Sequence, residues 1–365
     1  MKRIKILHCP TMVGGNPYGL ARAERKLGLD SWSIAFEQNI FAHCSDEILW
    51  HKKENYLIRE FKRFNLLKRA FKDFDIVHFN FGRSIMPHWA DSDSLQKNIP
   101  NSLLRTLYKV YVTIFELKDL PLLKKAGKKI AVTYQGSDAR QDGIFDKHKY
   151  WQISQFSKYA DIIYALNPDL LNFLPTRTQF MPYAHIDLNG WKLTGTDQIM
   201  NNPLVVHAPT ARKFKGTEYI LHAVSRLKNE GVKFRFQLVE NLSNNEAKKI
   251  YQEADILIDQ LLIGWYGGVA VEFMALAKPV ICYINEADLK FIPSEMKNDL
   301  PIINANQNTI YQVLKEYLTS KKDALSEIGK MSRQYVEKWH NPIKIATELK
   351  LDYERILTKN NNEKK

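Results

Sequence analysis

The chain has 365 residues, 45% hydrophobic and 25% charged, which excludes a disordered or fibrous chain and supplies enough apolar material for two cores. Its net charge of +13 calls for an anionic partner, and +10 of that charge falls before residue 186, so the first half is expected to meet it. Cys9, Cys44 and Cys282 are scattered without metal-ligand spacing, no apolar run reaches the ~18 residues of a spanning helix, and the start lacks a cleavage region, so disulfides, zinc and secretion are not expected and a cytoplasmic location is.

Short β-rich runs alternate with amphipathic stretches from the first residue, the pattern of parallel sheets wrapped by helices. IKILHC reads as the first strand. It leads into the loop TMVGGNPYG, a helix over Leu20–Leu27 and a second strand, SWSIAF. The Gly14-Gly15 turn lacks GxGxxG spacing, so it is either a phosphate cradle or a tight turn. Lys52–Phe74 sets Leu, Ile and Phe at helical spacing among lysines and arginines. That stretch is either an interfacial helix for anionic lipid or a sheet-packed helix with a solvated basic face.

DIVHFNF (Asp75–Phe81), KKIAVTYQG (Lys128–Gly136) and ADIIYAL (Ala160–Leu166) are buried-strand candidates, and the loops at their carboxyl ends are where doubly wound folds build sites. The insertion Trp89–Lys125 offers a helical contact surface. In YQGSDAR, Asp138 and Arg140 can bind substrate hydroxyls or pair with each other. His78 and the AHID segment at Ala184–Asp187 place histidines among the candidates for substrate contact.

Leu188–Pro203 is irregular and reads as a linker. A second alternating series follows, ending in a helical tail over Asn308–Leu357 interrupted at Asn341-Pro342. The expected organisation is a first Rossmann-like domain over 1–187, a linker over 188–203, a second such domain over 204–340, and a C-terminal helix over 341–365 packing back on the first domain. In ARKFKG, just ahead of a helix, Arg212 offers a planar fork and Lys215 a point charge, a combination that suits a diphosphate unless the loop is only a solvated basic turn. Gly267 and Gly268 open a short helix carrying Glu272. Its carboxylate can hold two ribose hydroxyls or simply answer the helix dipole.

In this order the segments VGGNPYGLARAERKLG, FDIVHFN, KKIAVTYQGSD, KYADIIYALNPDL, FMPYAHID, ARKFKGTEYILHAVSRL, EADILIDQ and GGVAVEFMALAKPVI resemble the family-four retaining glycosyltransferases. The resemblance spans nearly the whole chain. It implies an α/β protein of GT-B fold, with two Rossmann-like doubly wound domains facing a cleft, that moves a sugar with retention from a nucleotide-diphosphate donor, UDP-linked, to a glycan or lipid-linked acceptor in cell-surface polysaccharide synthesis. No cofactor and no metal are implied. Arg212 and Lys215 would hold the departing diphosphate, Glu272 the ribose, Gly15 the diphosphate from the first domain, and Gly267 and Gly268 the donor sugar.

Two residues depart from the family pattern. Gly264 stands eight before Glu272, where the family carries a second glutamate, and Gln135 stands where it carries a histidine. Trp265, Tyr266, Asp138 and Arg140 are the candidates to compensate, with Gln135 and Asp138 near the reacting carbon, Tyr266 on the donor, and Arg140 and His78 on the acceptor. The departures also leave open a noncatalytic nucleotide-sugar-binding partner protein, or an epimerase on the same scaffold. An anionic membrane surface fits the basic first half as a partner, with the protein peripheral at the inner face. Nucleic acid is not expected, because no reading module accompanies the charge.

Overall fold

A computed structural model describes residues 3–39, 41–51, 53–88, 102–141, 146–191 and 202–362. Strands β1 (Lys5–Cys9), β2 (Asp30–Ala35), β3 (Glu47–Ile48), β4 (Ile76–Asn80), β5 (Lys129–Tyr134), β6 (Ile162–Ala165) and β7 (Gln179–Phe180) form one sheet in the order β3-β2-β1-β4-β5-β6-β7. A second sheet, β12-β11-β10-β8-β9, takes β8 (Leu204–His207), β9 (Arg235–Leu238), β10 (Ile256–Ile258), β11 (Val280–Cys282) and β12 (Ile303–Asn304). Each registered strand pair is parallel. Strands β4, β5 and β8 are buried along their whole length, as helices on both faces require.

The helices are α1 (Asn16–Lys26), α2 (Tyr56–Asp73), α3 (Ser102–Phe115), α4 (Asp119–Lys125), α5 (Lys147–Tyr159), α6 (Arg212–Lys215), α7 (Thr217–Asn229), α8 (Asn244–Glu253), α9 (Gly268–Ala275), α10 (Ser294–Asn298), α11 (Ile310–Leu318), α12 (Ala324–Trp339) and α13 (Pro342–Asn362). Local chemistry sets several of their ends. Helix α1 starts at Asn16, ahead of the Leu20 that periodicity indicates, because Pro17 fits a first turn that needs no N–H and Gly15 caps it at φ 69°. Asn55 caps α2 by accepting the Ile58 N–H, and Ser243 with Glu246 closes a capping box on α8. The tail breaks twice, at Asn341-Pro342 and also between Leu318 and Ala324, where Thr319 leaves helical geometry at φ −126° and ψ −92°.

Leu188–Gly190 form one 3-10 turn. Most of the expected linker, 192–201, and the start of the expected insertion, 89–101, lie outside the described residues. One hydrophobic cluster runs continuously from Ile6 and Tyr183 of the first half to Trp265 and Tyr353 of the second, while two others underlie the separate sheets. Helix α13 returns to pack on α1. Tyr353 seals that return by donating to Glu24 (3.2 Å) and bonding His78 Nδ1 (2.7 Å), and Tyr164 donates to Asp352 (2.7 Å).

Candidate functional site

The loops at the strands' carboxyl ends face each other between the two sheets. Gly14 and Gly15 follow β1 at φ 60° and 69°, backbone that glycine adopts at least cost. Just beyond, Asn16 accepts the Ala184 N–H (2.7 Å), and at Gly19 the helix comes so near that a Cβ would lie 2.2 Å from the Ala184 carbonyl oxygen. These two contacts pin Ala184 and aim His185 at the cleft.

The second domain meets it with the start of α9. A Cβ on Gly268 would sit 3.4 Å from His185 Cε1, and one on Gly15 would sit 3.6 Å from His185 Cβ, so the imidazole lies between glycines of both domains. Glu272, one turn into α9, accepts from Asn244 Nδ2 (3.0 Å) and lies 3.9 Å from His185 Nε2. Burial lifts the Glu272 carboxyl to about 7, against the lowering influence of Asn244 and Lys248. Burial pushes the His185 imidazole down to about 3, helped by His43 and His340 and offset only in part by the Gly268 backbone. The ring is therefore neutral at physiological pH, and neither nitrogen makes a hydrogen bond of good geometry.

Around this pair lies a cavity of ≈170 Å³, walled by Gly14, Phe41, His43 and His185 on one side and by Thr210, Glu240, Asn244, Tyr251, Gly268 and Glu272 on the other. The Asn244 N–H donates to the Phe41 carbonyl (2.9 Å), joining the domains at its edge. Pro209, Val239, Leu242 and Ala247 add an apolar flank. The result is a buried acceptor, two turns rich in backbone N–H groups and an apolar wall in one cleft, the usual composition of a small-molecule site.

The two cations stand at the rim. Arg212 grips Glu240 through Nε and Nη2 (2.8 and 2.6 Å) and is half exposed. Lys215 Nζ bonds the fully buried Asp259 (2.6 Å), whose other oxygen accepts the Gly267 N–H (2.6 Å), placing the ammonium at the start of α9. An extra turn, α6, carries both cations before Gly216, at φ 75°, hands over to α7.

Gln135 faces Gly14, where a Cβ would lie 3.9 Å from its Oε1, and its buried Nε2 has no partner. Asp138 points instead into its own loop, accepting the N–H groups of Gln135 (3.0 Å) and Gly136 (2.6 Å), so it shapes the turn rather than lining the cavity. Arg140 pairs with neither Asp138 nor a surface group: its Nε donates to Asp169 (2.6 Å).

Two expected contacts are corrected by burial. His78 lies wholly inside the first domain, with Nδ1 on Tyr353 and Nε2 on Thr133 (2.6 Å), and joins α13 to the sheet instead of meeting an acceptor. Tyr266 is fully buried, stacked on Trp265, with its hydroxyl on Tyr335 and His340 (2.9 Å each), so it is core rather than a donor contact. Gly264 has a backbone reason for lacking a side chain. Its φ is 87°, and a Cβ there would lie 2.8 Å from Asn285 Cβ.

Sequence reasoning did not single out His43, Phe41, Glu240 or Asn244. Asn244 had a signal, since the Ser243-x-x-Glu246 box marks a helix start whose first residue can face a ligand. The loop bearing Phe41 and His43 had none.

Two facing Rossmann-like sheets with a cleft at their carboxyl ends are the GT-B architecture. Among solved structures, the chain is similar to sucrose-phosphate synthase from Thermosynechococcus elongatus (TM-score 0.62, 14% identity, 98% of this chain and 100% of that one). It is also similar to HepE from Anabaena in complex with UDP and glucose (TM-score 0.64, 11% identity, 97% and 100%) and to a glycosyltransferase from Rickettsia africae (TM-score 0.60, 15% identity, 98% and 99%). These identities speak for the fold. No family model matches the sequence, and no curated protein does.

Proposed function

We propose that the protein is a retaining glycosyltransferase of the family-four kind that uses a nucleotide-diphosphate sugar, UDP-linked. The observation that carries this reading is the buried Glu272, one turn inside a glycine-opened helix, facing the glycine turn of the other domain across the cleft. A ribose fits against Glu272, and the base against the flank of Val239, Leu242 and Ala247. The diphosphate then reaches the start of α9, beside the His185 imidazole that lies between Gly15 and Gly268.

There it competes for Lys215 and Arg212, which in this structure hold Asp259 and Glu240. Charge growing on the leaving phosphate is what those cations and the helix N–H groups stabilise best, so catalysis is positioning plus electrostatics. Gln135 donates through its unpartnered amide but shares no proton. The proposed reaction needs no resident cofactor or metal. The acceptor, a glycan or lipid-linked sugar in cell-surface polysaccharide synthesis, would approach the first domain, where Met12, Phe36, Trp50 and Phe81 wall a cavity of ≈480 Å³ that also holds Arg83. A cytoplasmic enzyme peripheral to the inner face of the membrane fits such an acceptor.

A noncatalytic nucleotide-sugar-binding partner protein is the second reading. It is favoured by Gly264, whose backbone excludes the acid that the family pattern places there. Incubation with UDP-glucose, UDP-galactose and UDP-N-acetylglucosamine separates the two: release of UDP supports the enzyme, and tight binding without release supports the partner protein.

A further inference from the structure

Helices α2 and α3 lie side by side on the first domain. Tyr111 of α3 donates to Glu60 of α2 (2.7 Å), and the Tyr56 and Tyr108 rings meet edge to face at 5.0 Å. The inner face of α3 is spent on this contact, with Tyr108 and Val112 buried. Its outer face should be polar. Instead Leu103, Leu107, Val110 and Ile114, at helical spacing i, i+4, i+7 and i+11, are all at least half exposed.

On α2 a parallel stripe behaves the same way. Leu57, Phe61 and Phe64 are 76%, 74% and 45% exposed, and the same face continues into the exposed Lys68 and Lys72. Helix α3 contains no acidic residue, and its two charges are Arg105 and Lys109. Lys68, Lys72 and Lys109 hold no ion pair among the described residues. No helix among those residues is long and apolar enough to cross a membrane.

Outward apolar stripes that themselves carry no acid and are bordered by Lys68, Lys72 and Lys109 match one surface by both shape and charge: the headgroup layer of an anionic bilayer. We propose that α2 and α3 together dock the protein on anionic phospholipid, with Leu57, Phe61, Leu103 and Leu107 entering the acyl boundary and Lys68, Lys72 and Lys109 meeting the phosphates. The proposal shares with the proposed function only the membrane side of the acceptor, because its residues are remote in sequence from the donor cleft. Docking would set the cavity of the first domain close to the lipid surface. Arg63 of α2 packs over Phe36 and Trp50, two of its wall residues, at 4.6 and 5.0 Å.

The experiment is co-sedimentation of the full chain with vesicles of phosphatidylcholine alone and of phosphatidylcholine mixed with phosphatidylglycerol, for wild type, Phe61→Glu, Leu107→Glu and the pair Lys68→Glu with Lys72→Glu. Wild type is expected on the anionic vesicles only, less so at high salt, with partition falling about tenfold or more in each single variant, as loss of one buried large apolar side chain implies. Calorimetry with UDP on the same preparations should be unaltered, so a failed donor site and a failed docking surface give separate readouts. Absence of wild type from anionic vesicles, or equal binding by the variants, would overturn the proposal. So would a concentration-dependent dimer that Leu107→Glu dissociates without lipid, which would assign the face to a second copy.

Discussion

His185 Nε2 of the first domain lies 3.9 Å from Glu272 Oε1 of the second, and both side chains are more than nine-tenths buried. Near neutrality Glu272 lacks the full charge usual for its type, and His185 carries none. The imidazole is held neutral by burial, and the carboxyl titrates near 7 instead of near 4.5. A cleft that holds a half-protonated acid beside an unpartnered imidazole gains from a ligand that supplies hydroxyls and phosphate oxygens.

The first prediction concerns Glu272 and pH. An acid whose pKa is raised on folding binds its proton more tightly in the native state, so its contribution is favourable below the unfolded value and is lost as pH rises from about 4.5 through about 7. Glu272→Gln keeps an oxygen for Asn244 but cannot ionise. The variant should match wild type in denaturant melts at about pH 4 and exceed it at about pH 8 by on the order of 3 kcal/mol. Equal stability at both ends would mean that Glu272 ionises freely.

His185→Leu is close to volume-conserving and removes two unpartnered nitrogens. Stability without ligand should hold or rise, within about 1 kcal/mol, while affinity for UDP should fall. Thermal melts and calorimetry read the two separately. Unchanged UDP affinity would show that the imidazole only fills space.

Arg212 and Lys215 should separate cleanly. Arg212 is half exposed, so Arg212→Ala should leave the melting temperature unchanged and weaken UDP binding by about tenfold or more through lost charge-assisted bonds. Lys215→Ala abandons the fully buried Asp259 and should cost about 3–5 kcal/mol of stability before any ligand is added. Lys215→Ala alone therefore cannot report on nucleotide binding. Normal UDP affinity in Arg212→Ala would remove the arginine from the diphosphate site.

Placing an acid at position 264 should fail. Gly264→Glu forces a side chain onto φ 87° and against Asn285, so it should lower stability by roughly 1–3 kcal/mol or more. A stable, active Gly264→Glu would show that the loop between Leu262 and Tyr266 rearranges readily.

What the sequence made legible was local. The alternation of strands and helices, the turn at Gly14-Gly15, and Glu272 behind Gly267-Gly268 all follow from periodicity and turn chemistry within a few residues, and the structure brings the glycine turns, Gln135 and Glu272 to one cleft. Tyr266 and His78 misled because burial is tertiary. Their partners, Tyr335, His340 and Tyr353, lie far along the chain in α12, α13 and the turn between them. Asp138 and Arg140 are near in sequence but turn to different partners. His43 entered the site on a loop with no periodic signal. The outward apolar face of α3 was invisible for a related reason: a stripe at helical spacing looks the same whether it faces a core or the solvent.

Whether a nucleotide binds in the cleft is tested most directly by calorimetric titration of wild type and Glu272→Ala with UDP, above pH 7 where the carboxyl is ionised. Wild type should bind saturably, with affinity that strengthens as pH rises through about 7, and the variant should lose that binding. Equal binding by both proteins, or none by wild type, would contradict it.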